Sequence, residues 1–450
     1  MKIWSILIVI VLFFCQIIFA QSAFAEQILQ IETAEMGFYD AVNFALNNNN
    51  NIRAMRKNLS ATERDIGIAR SDLMPKVRFH ENFTVTNNPI EAFSFKLNQT
   101  RATTADLAIG TLDFPGAVTN FLTSGVIEQP IYNRKAMIGI KMARKEYSAN
   151  GYIFLRQQEE LVNQVALAFL GVSSSQDYIK VAELAIKDAK EHLDIAESRT
   201  KSKSTPNPDV LRAKTSIDEA NQKLVTAQRN LNVAKMNLGL QLGLEKPVKA
   251  LDSVPEFELH DLNYYKELSV YRNDIKATEI RVQNAKNNIQ SARSDWYPTL
   301  NAIASYNLYN SNYSFGAQGS NYIAGALFRW DVFDGKKRNY EILKAKDKEA
   351  EAKEYLEGFK KEVNFRVYEV YSSVEESQKK LEIALAARKL AYEDKTIVSR
   401  RWQSSLSPFI DLIDAQSNLD SMRENVVKSQ NDLKVSLVKL YFESGIDIIQ

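Results

Sequence analysis

The sequence predicts an α+β membrane protein in which strand pairs alternate with helices too long for any compact domain. Three observations predict it: an export signal at the N-terminus, an internal duplication, and strand-length segments whose apolar residues recur at every second position. Composition narrows the field first. The 450 residues carry 57 Lys and Arg against 55 Asp and Glu, a formal charge of +2. That balance lacks the strongly basic face that nucleic-acid binding needs. Sixteen glycines and ten prolines are sparse for this length and favour long regular elements.

Residues 1–25 are expected to be a signal peptide. Lys2 supplies its positive start, Ile6 to Phe14 its apolar stretch, and Ala23-Phe24-Ala25 a small-x-small cleavage site before Glu26. Gln16, Gln21 and Ser22 break the apolar run, which argues against a retained anchor. The one cysteine, Cys15, sits inside this segment, so the exported chain is expected to hold together by packing without disulfides. Beyond Ala25 no stretch approaches ~20 apolar residues, the length a spanning helix requires. Entry into a membrane is then left to β-strands.

The duplication organises the rest. Ala69-Arg70-Ser71-Asp72-Leu73-Met74-Pro75 recurs as Ala292-Arg293-Ser294-Asp295-Trp296-Tyr297-Pro298. Pro208-Asp209-Val210-Leu211-Arg212-Ala213 recurs as Ile410-Asp411-Leu412-Ile413-Asp414-Ala415, and Gly243-Leu244 recurs as Gly445-Ile446 at the same offset. The first match is offset further, so the first repeat carries extra length between 76 and 130, a longer loop at roughly 87–120. No proline lies between Pro130 and Pro206 or between Pro298 and Pro408. Interior proline costs ~3 kcal/mol in a helix, so these gaps permit very long ones. A helix over 134–199 is ~100 Å long at 1.5 Å per residue and demands a coiled coil or extended bundle.

The domain plan follows: a first repeat over 26–244, a linker or equatorial segment over 245–261, and a second repeat over 262–450. Each repeat is expected to hold a first helix (38–72, then 262–295) and a strand pair (76–86 with 121–131, then 299–309 with 322–332). A long helix, a Ser/Pro turn (200–208, then 403–408) and a return helix (209–242, then 409–442) complete it.

Within the strands, Val77, Phe79, Phe83 and Val85 share one face, as do Leu300, Ala302, Ala304, Tyr306 and Leu308. Tyr322, Phe328, Trp330 and Val332 form a third such row, and Trp296, Tyr297 and Trp330 mark strand ends where an aromatic girdle lies. A soluble sheet with one wet face gives the same alternation, and Glu81 interrupts the first apolar row. Four strands cannot close a barrel, and an open edge is not tolerated in hydrocarbon. A membrane barrel must therefore be shared between subunits.

On this plan the chain resembles the TolC family of outer-membrane efflux proteins, over nearly its whole exported length. Gln129-Pro130-Ile131-Tyr132 and Trp330-Asp331-Val332-Phe333-Asp334-Gly335 look like the family's strand-to-helix entry, and Asp411-Leu412-Ile413-Asp414-Ala415 like the start of its last return helix. The run from Asp113 to Phe121 resembles the extended first loop of one branch of the family. The resemblance implies a TolC-like homotrimer: a twelve-stranded β-barrel in outer-membrane lipid, four strands per protomer. A long periplasmic α-helical barrel with coiled-coil hairpin tips continues it. Such a channel is the exit duct of a tripartite efflux or type I secretion system, docked on a periplasmic adaptor and an inner-membrane transporter. It implies no cofactor and no metal.

The resemblance also assigns residues. Asp411 and Asp414 match an acidic ring at the periplasmic constriction. The alternative is that Asp411 or Ser407 merely caps the helix after Pro408. Asp209, Trp402 and Ser407 fall at tip contacts that latch the closed state. Trp402 replaces an aromatic that usually bears a hydroxyl and Ser407 a frequent arginine, so packing is expected to hold this tip. Thr200, Ser204, Pro206, Pro208, Ser404, Ser405 and Pro408 form the tips expected to dock the adaptor. Against an enzyme, His80, His192 and His260 are scattered without metal-ligand spacing, and no phosphate loop or nucleophile motif occurs. The competing class is a periplasmic coiled-coil scaffold without a pore, which the strand alternation disfavours.

Overall fold

The structure, a computed structural model, describes residues 34–200, 208–404 and 406–448. The expected signal peptide lies outside the described residues. The chain folds into two compact units, each drawing on both repeats: one comprises the residues up to Arg56, Phe154–Asn273 and those from Lys360 onward, the other Lys57–Ile153 and Asp274–Phe359.

The duplication is visible in element lengths. The long helices α5 (Arg134–Thr200) and α9 (Lys337–Gln403) have 67 residues each, and the return helices α6 (Pro208–Leu242) and α10 (Phe409–Ser444) have 35 and 36. Both return helices end alike. Gly243 and Gly445 adopt φ of +79° and +72°, the left-handed conformation that a side chain resists. The next residues, Leu244 and Ile446, donate back to the carbonyls of Gly239 and Tyr441 at 2.8 and 3.0 Å. This satisfies carbonyls at the helix ends and explains why Gly-Leu and Gly-Ile recur.

Each expected first helix is split in two. In the first repeat α1 (Phe38–Asn48) and α2 (Asn50–Ser71) flank Asn49. Its side-chain oxygen accepts the Asn51 N–H at 2.8 Å, and its amide donates to the Gln241 carbonyl at 2.8 Å. In the run Asn47–Asn51 such side chains compete with the helix ladder, and the break follows. In the second repeat α7 (Leu262–Ser269) stops before α8 (Asn273–Ser294), and buried Arg272 between them grips Glu443 through its carbonyl and carboxylate at 2.8 and 2.7 Å.

Around these breaks lies the main core of the first unit. Phe38, Val165, Ala166, Phe169, Leu238 and Leu242 are fully enclosed, with the Phe38 and Phe169 rings edge to face at 5.7 Å. The expected linker contributes β4 (Val248–Ala250), which pairs in parallel with β1 (Ala34–Met36), and Asp252 accepts the Phe38 N–H at 2.7 Å.

The second unit is built on an antiparallel sheet in the order β2 (Lys76–Thr86), β3 (Val118–Tyr132), β5 (Thr299–Asn310), β6 (Gly319–Arg329). Strand β6 begins and ends three residues earlier than the alternation suggested. The Asn310 side chain turns the hairpin by accepting the N–H groups of Asn312 and Tyr313, and the Gln318 N–H bonds to Tyr309. Pairing therefore starts at Gly319 and is spent by Arg329, so Trp330 and Val332 lie past the strand. Trp330 donates from its indole N–H to the Trp296 carbonyl at 3.2 Å.

Register decides which rows share a face. Phe79 opposes Gly125, Gly125 opposes Tyr306, and Tyr306 opposes Tyr322. Side chains directly opposite point the same way. The three apolar rows thus fall on one face, together with Phe121 and Ile127. Glu81 is on that face too, where its carboxylate accepts the hydroxyl of the opposing Thr123 at 2.5 Å. The other face carries a polar chain in which Ser124 donates to Asn307 at 2.6 Å and Asn307 to Asn321 at 2.9 Å. Arg78 and Glu128 form an ion pair there.

The Phe38–Phe169 contact gives a direct test of the first core. Phe169→Ala should cost about 3–5 kcal/mol through lost burial and the cavity left behind. Thermal unfolding in detergent should report a clearly lower midpoint; an unchanged midpoint would show that this core is not where stability resides.

Candidate functional site at the helical tip

The far ends of all four long helices meet in one apolar knot. Ala196 of α5, Ala213 of α6, Trp402 of α9, and Phe409 and Leu412 of α10 are buried against one another, with Leu193, Val210 and Val398 packed around them. The Trp402 and Phe409 rings lie 5.0 Å apart at 51°, a geometry aromatic pairs favour. Trp402 is 4% exposed, so it holds the tip from inside.

Helix α10 starts on this knot, and the spacing of its residues sorts two faces. Phe409, Leu412, Ala415 and Leu419 point inward. Asp411 and Asp414, three apart, lie together on the exposed side. The N-cap residue is Pro408, and no side chain caps the helix there. Neither Ser407 nor Asp411 serves as the cap, and the Ser407 hydroxyl is buried without a hydrogen-bond partner. Asp411 does sit in the first helical turn, where the helix dipole favours a carboxylate. Asp209 occupies the matching first turn of α6.

Deeper along the same pair of helices is a polar cluster that the sequence pattern did not single out. Arg423 of α10 donates to Asp188 of α5 at 2.7 Å and to Asp420 at 2.8 Å. The Gln416 amide donates to Asp188 at 3.0 Å and to Asp420 at 3.1 Å. Its oxygen is left to accept, and the His192 Nε2 lies 3.3 Å from it. His192 therefore carries its proton on Nε2, while Nδ1 is buried and meets no partner. A second proton would bury an unpaired donor. Accordingly, burial holds the imidazole below its usual value of 6.5, with Lys395 adding to the effect and Gln416, Asp188 and Glu191 opposing it. Burial pushes the Asp420 carboxyl up, against the pull of Gln416 and Arg423.

Comparison with known proteins decides the family. The family model described as outer membrane efflux protein matches residues 41–244 and 264–445. The chain belongs to that family. Among relatives of this chain, the probable efflux pump outer membrane protein SepC of Pseudomonas putida is 25% identical over 264 residues. That match covers 58% of this chain and 52% of SepC, so the chain spans about half the length of that relative. The solvent efflux pump outer membrane protein SrpC of Pseudomonas putida is 22% identical over 427 residues, covering 89% of this chain and 83% of SrpC. Among solved structures, CusC superposes with a TM-score of 0.75 at 14% identity, covering 91% of this chain and 92% of that one. The open-state MtrE outer membrane channel of Neisseria gonorrhoeae gives 0.72 at 16% identity, covering 91% and 89%. The fold is therefore that of TolC-like outer-membrane channels.

Within this family member the residues singled out by sequence are gathered at one end of the helices. Trp402, Ser407, Pro408, Asp411 and Asp414 cluster at the α9–α10 turn, with Ser404 exposed beside them. Pro208 and Asp209 open α6, and Thr200 closes α5. Ser204, Pro206 and Ser405 lie outside the described residues. Asp188, His192, Gln416, Asp420 and Arg423 were missed. Their signal was available: Gln416, Asp420 and Arg423 continue the inward row of Phe409, Leu412 and Leu419, where a coiled-coil seam otherwise wants apolar residues.

The histidine makes the cluster sensitive to pH. Its folded pKa is depressed, so the opened state takes up a proton first, and stability is lost as pH falls below about 6.5. Asp420 works the other way, since its raised pKa favours the packed state as pH falls towards the ordinary carboxylate value of 3.8. Amide exchange at 185–196 and 412–424, corrected for intrinsic rates, should quicken between pH 7.5 and 6 in the native chain. His192→Gln should flatten that dependence; an equally steep profile in the variant would remove His192 from the account.

Proposed function

We propose that the chain is one subunit of a passive exit duct in which three copies close a twelve-stranded barrel in the outer membrane. The observation that carries this is the four-stranded sheet. One of its faces is apolar and largely exposed, with Val77, Phe79, Phe83, Tyr322 and Phe328 each more than half exposed. Its outer strands β2 and β6 pair on one side only. An apolar face suits lipid, and a barrel shared between copies leaves no edge.

The helices support the same assembly. Leu211, Val225, Val233 and Leu240 on α6, and Tyr355, Ile383, Leu390 and Ile397 on α9, are all more than half exposed. Ile383, Leu390 and Ile397 recur every seven residues, the spacing of a coiled-coil seam. Neighbouring subunits would cover such rows in a continuous helical wall. The named relatives are outer-membrane proteins of efflux pumps, SrpC that of a solvent efflux pump. By that likeness the duct receives cargo from an inner-membrane transporter through a periplasmic adaptor docked at the hairpin tips. The helix-side mouth carries Asp411 and Asp414. Three copies of two exposed carboxylates around one axis would make a negative constriction that admits cations and is plugged by multivalent ones.

Planar-bilayer recording tests duct and constriction together. The native chain should give discrete conductance steps with a preference for cations. Changing Asp411→Ala with Asp414→Ala should reduce that preference several-fold and weaken block by multivalent cations. An absence of steps would contradict the duct, and steps with unaltered selectivity and block would contradict the acidic ring.

A further inference from the structure

The segment between β2 and β3 is a folded object. Helix α3 (Pro89–Asn98) is capped by Asn88, which accepts the N–H groups of Ile90 and Glu91 at 3.1 and 3.3 Å. A short 3-10 turn (Thr104–Leu107) is fixed by Asp106, which accepts from the Thr103 N–H and hydroxyl at 2.8 and 2.9 Å. Lys96 bonds the other Asp106 oxygen at 2.6 Å, and these partners hold the carboxyl at about 2. The five-residue helix α4 (Ile109–Asp113) leads on to β3. Such a loop keeps one shape.

Two independent observations fix the side of the sheet on which it rests. First, Gln99 at the end of α3 is wholly buried. Its amide donates to the Thr119 carbonyl and the Asn120 side chain, both at 2.9 Å, and to the Asn310 carbonyl at 3.4 Å. Asn120 opposes Thr84 and belongs to the polar face of the sheet. Second, Gly319 opposes Tyr309 on that same polar face, and a Cβ built there would lie 1.9 Å from the Asn98 carbonyl oxygen. The end of α3 thus presses on the polar face itself, where only a glycine leaves room. The hydroxyl of Thr100 adds a bond to the Gln318 carbonyl at 2.7 Å.

We infer that this loop is a fixed constriction folded into the outer mouth of the pore, and that Arg101 is the charge which sets its selectivity. The inference rests on the exit-duct reading, in which the polar face lines the pore. Gln99 spends its side-chain oxygen on the Arg101 Nε at 2.6 Å, so a neutral partner orients the guanidinium. Arg101 is exposed, whereas Lys96 is matched by Asp106. Three copies would set three arginines around the exit, and the narrowest point of the outer mouth would be set by a loop rather than by barrel circumference.

Single-channel recording in asymmetric potassium chloride tests this with two variants. Replacing residues 88–116 by a short turn should raise conductance about twofold or more, because pore diameter then reverts to that of the strands. Arg101→Glu should shift the permeability ratio toward potassium several-fold with the loop in place. Its exposed side chain makes misfolding a poor explanation for any change. Native conductance and native permeability ratio in both variants overturn the inference. If the native chain itself forms no pores, the exit-duct reading fails instead.

Discussion

Strands β2 and β6 each leave a row of backbone N–H and C=O groups without a partner in the sheet, and every other feature of this chain answers to that fact. In water such edges are solvated at little cost. In hydrocarbon each unsatisfied group costs several kcal/mol, and the apolar face that prefers lipid brings those edges with it. Mutual pairing of edges between copies removes the conflict. In the proposed assembly a closed barrel would impose its symmetry on whatever is attached, the 67-residue helices included. Their exposed apolar rows are faces that one chain alone leaves uncovered.

Each unit carries one buried polar arrangement that fixes its local packing. At the helical tip, an apolar knot centred on Trp402 and Phe409 fastens four helices. Behind it, Arg423 shared by Asp188 and Asp420 gives the packed state a single register. Buried polar groups specify in this way because any shift leaves them unpaired, a loss larger than their net contribution when paired. The cluster therefore suits a joint with few allowed positions. In the sheet unit, Gln99 does the same for a loop, spending its side-chain hydrogen bonds to fix one crossing over the sheet.

Much of this was legible in the residues. Proline-free spans permitted both long helices and the first was placed at 134–199, against Arg134–Thr200 in the structure. The repeated Gly-Leu and Gly-Ile marked the duplication, and their left-handed caps came only with the structure. Period-two rows placed the apolar face, since sterics alone alternate side chains along a strand. Strand count pointed to a barrel shared between subunits, and family resemblance added the expectations that pattern could not, namely three copies and an acidic pair at Asp411 and Asp414. Three features stayed hidden for physical reasons. The break at Asn49 depends on a carbonyl of Gln241, nearly two hundred positions away. The end of β6 was set by the Asn310 turn, so Trp330 looked like a strand residue and was not. Gln416, Asp420 and Arg423 stood out only as polar residues on an inward row, and what they pair with appeared when Asp188 and His192 were brought opposite them. Tertiary partners cannot be inferred from one helix face.

The central claim is that edges β2 and β6 pair between copies, and the most direct measurement is the mass of the protein in detergent. Native mass spectrometry or sedimentation with matched detergent density should find three chains per particle. Particles should dissociate when a proline on β2 replaces a residue whose N–H faces away from β3, which removes an edge donor and leaves the chain's own sheet paired. A folded, stable single chain in detergent, with the sheet intact, would contradict the account.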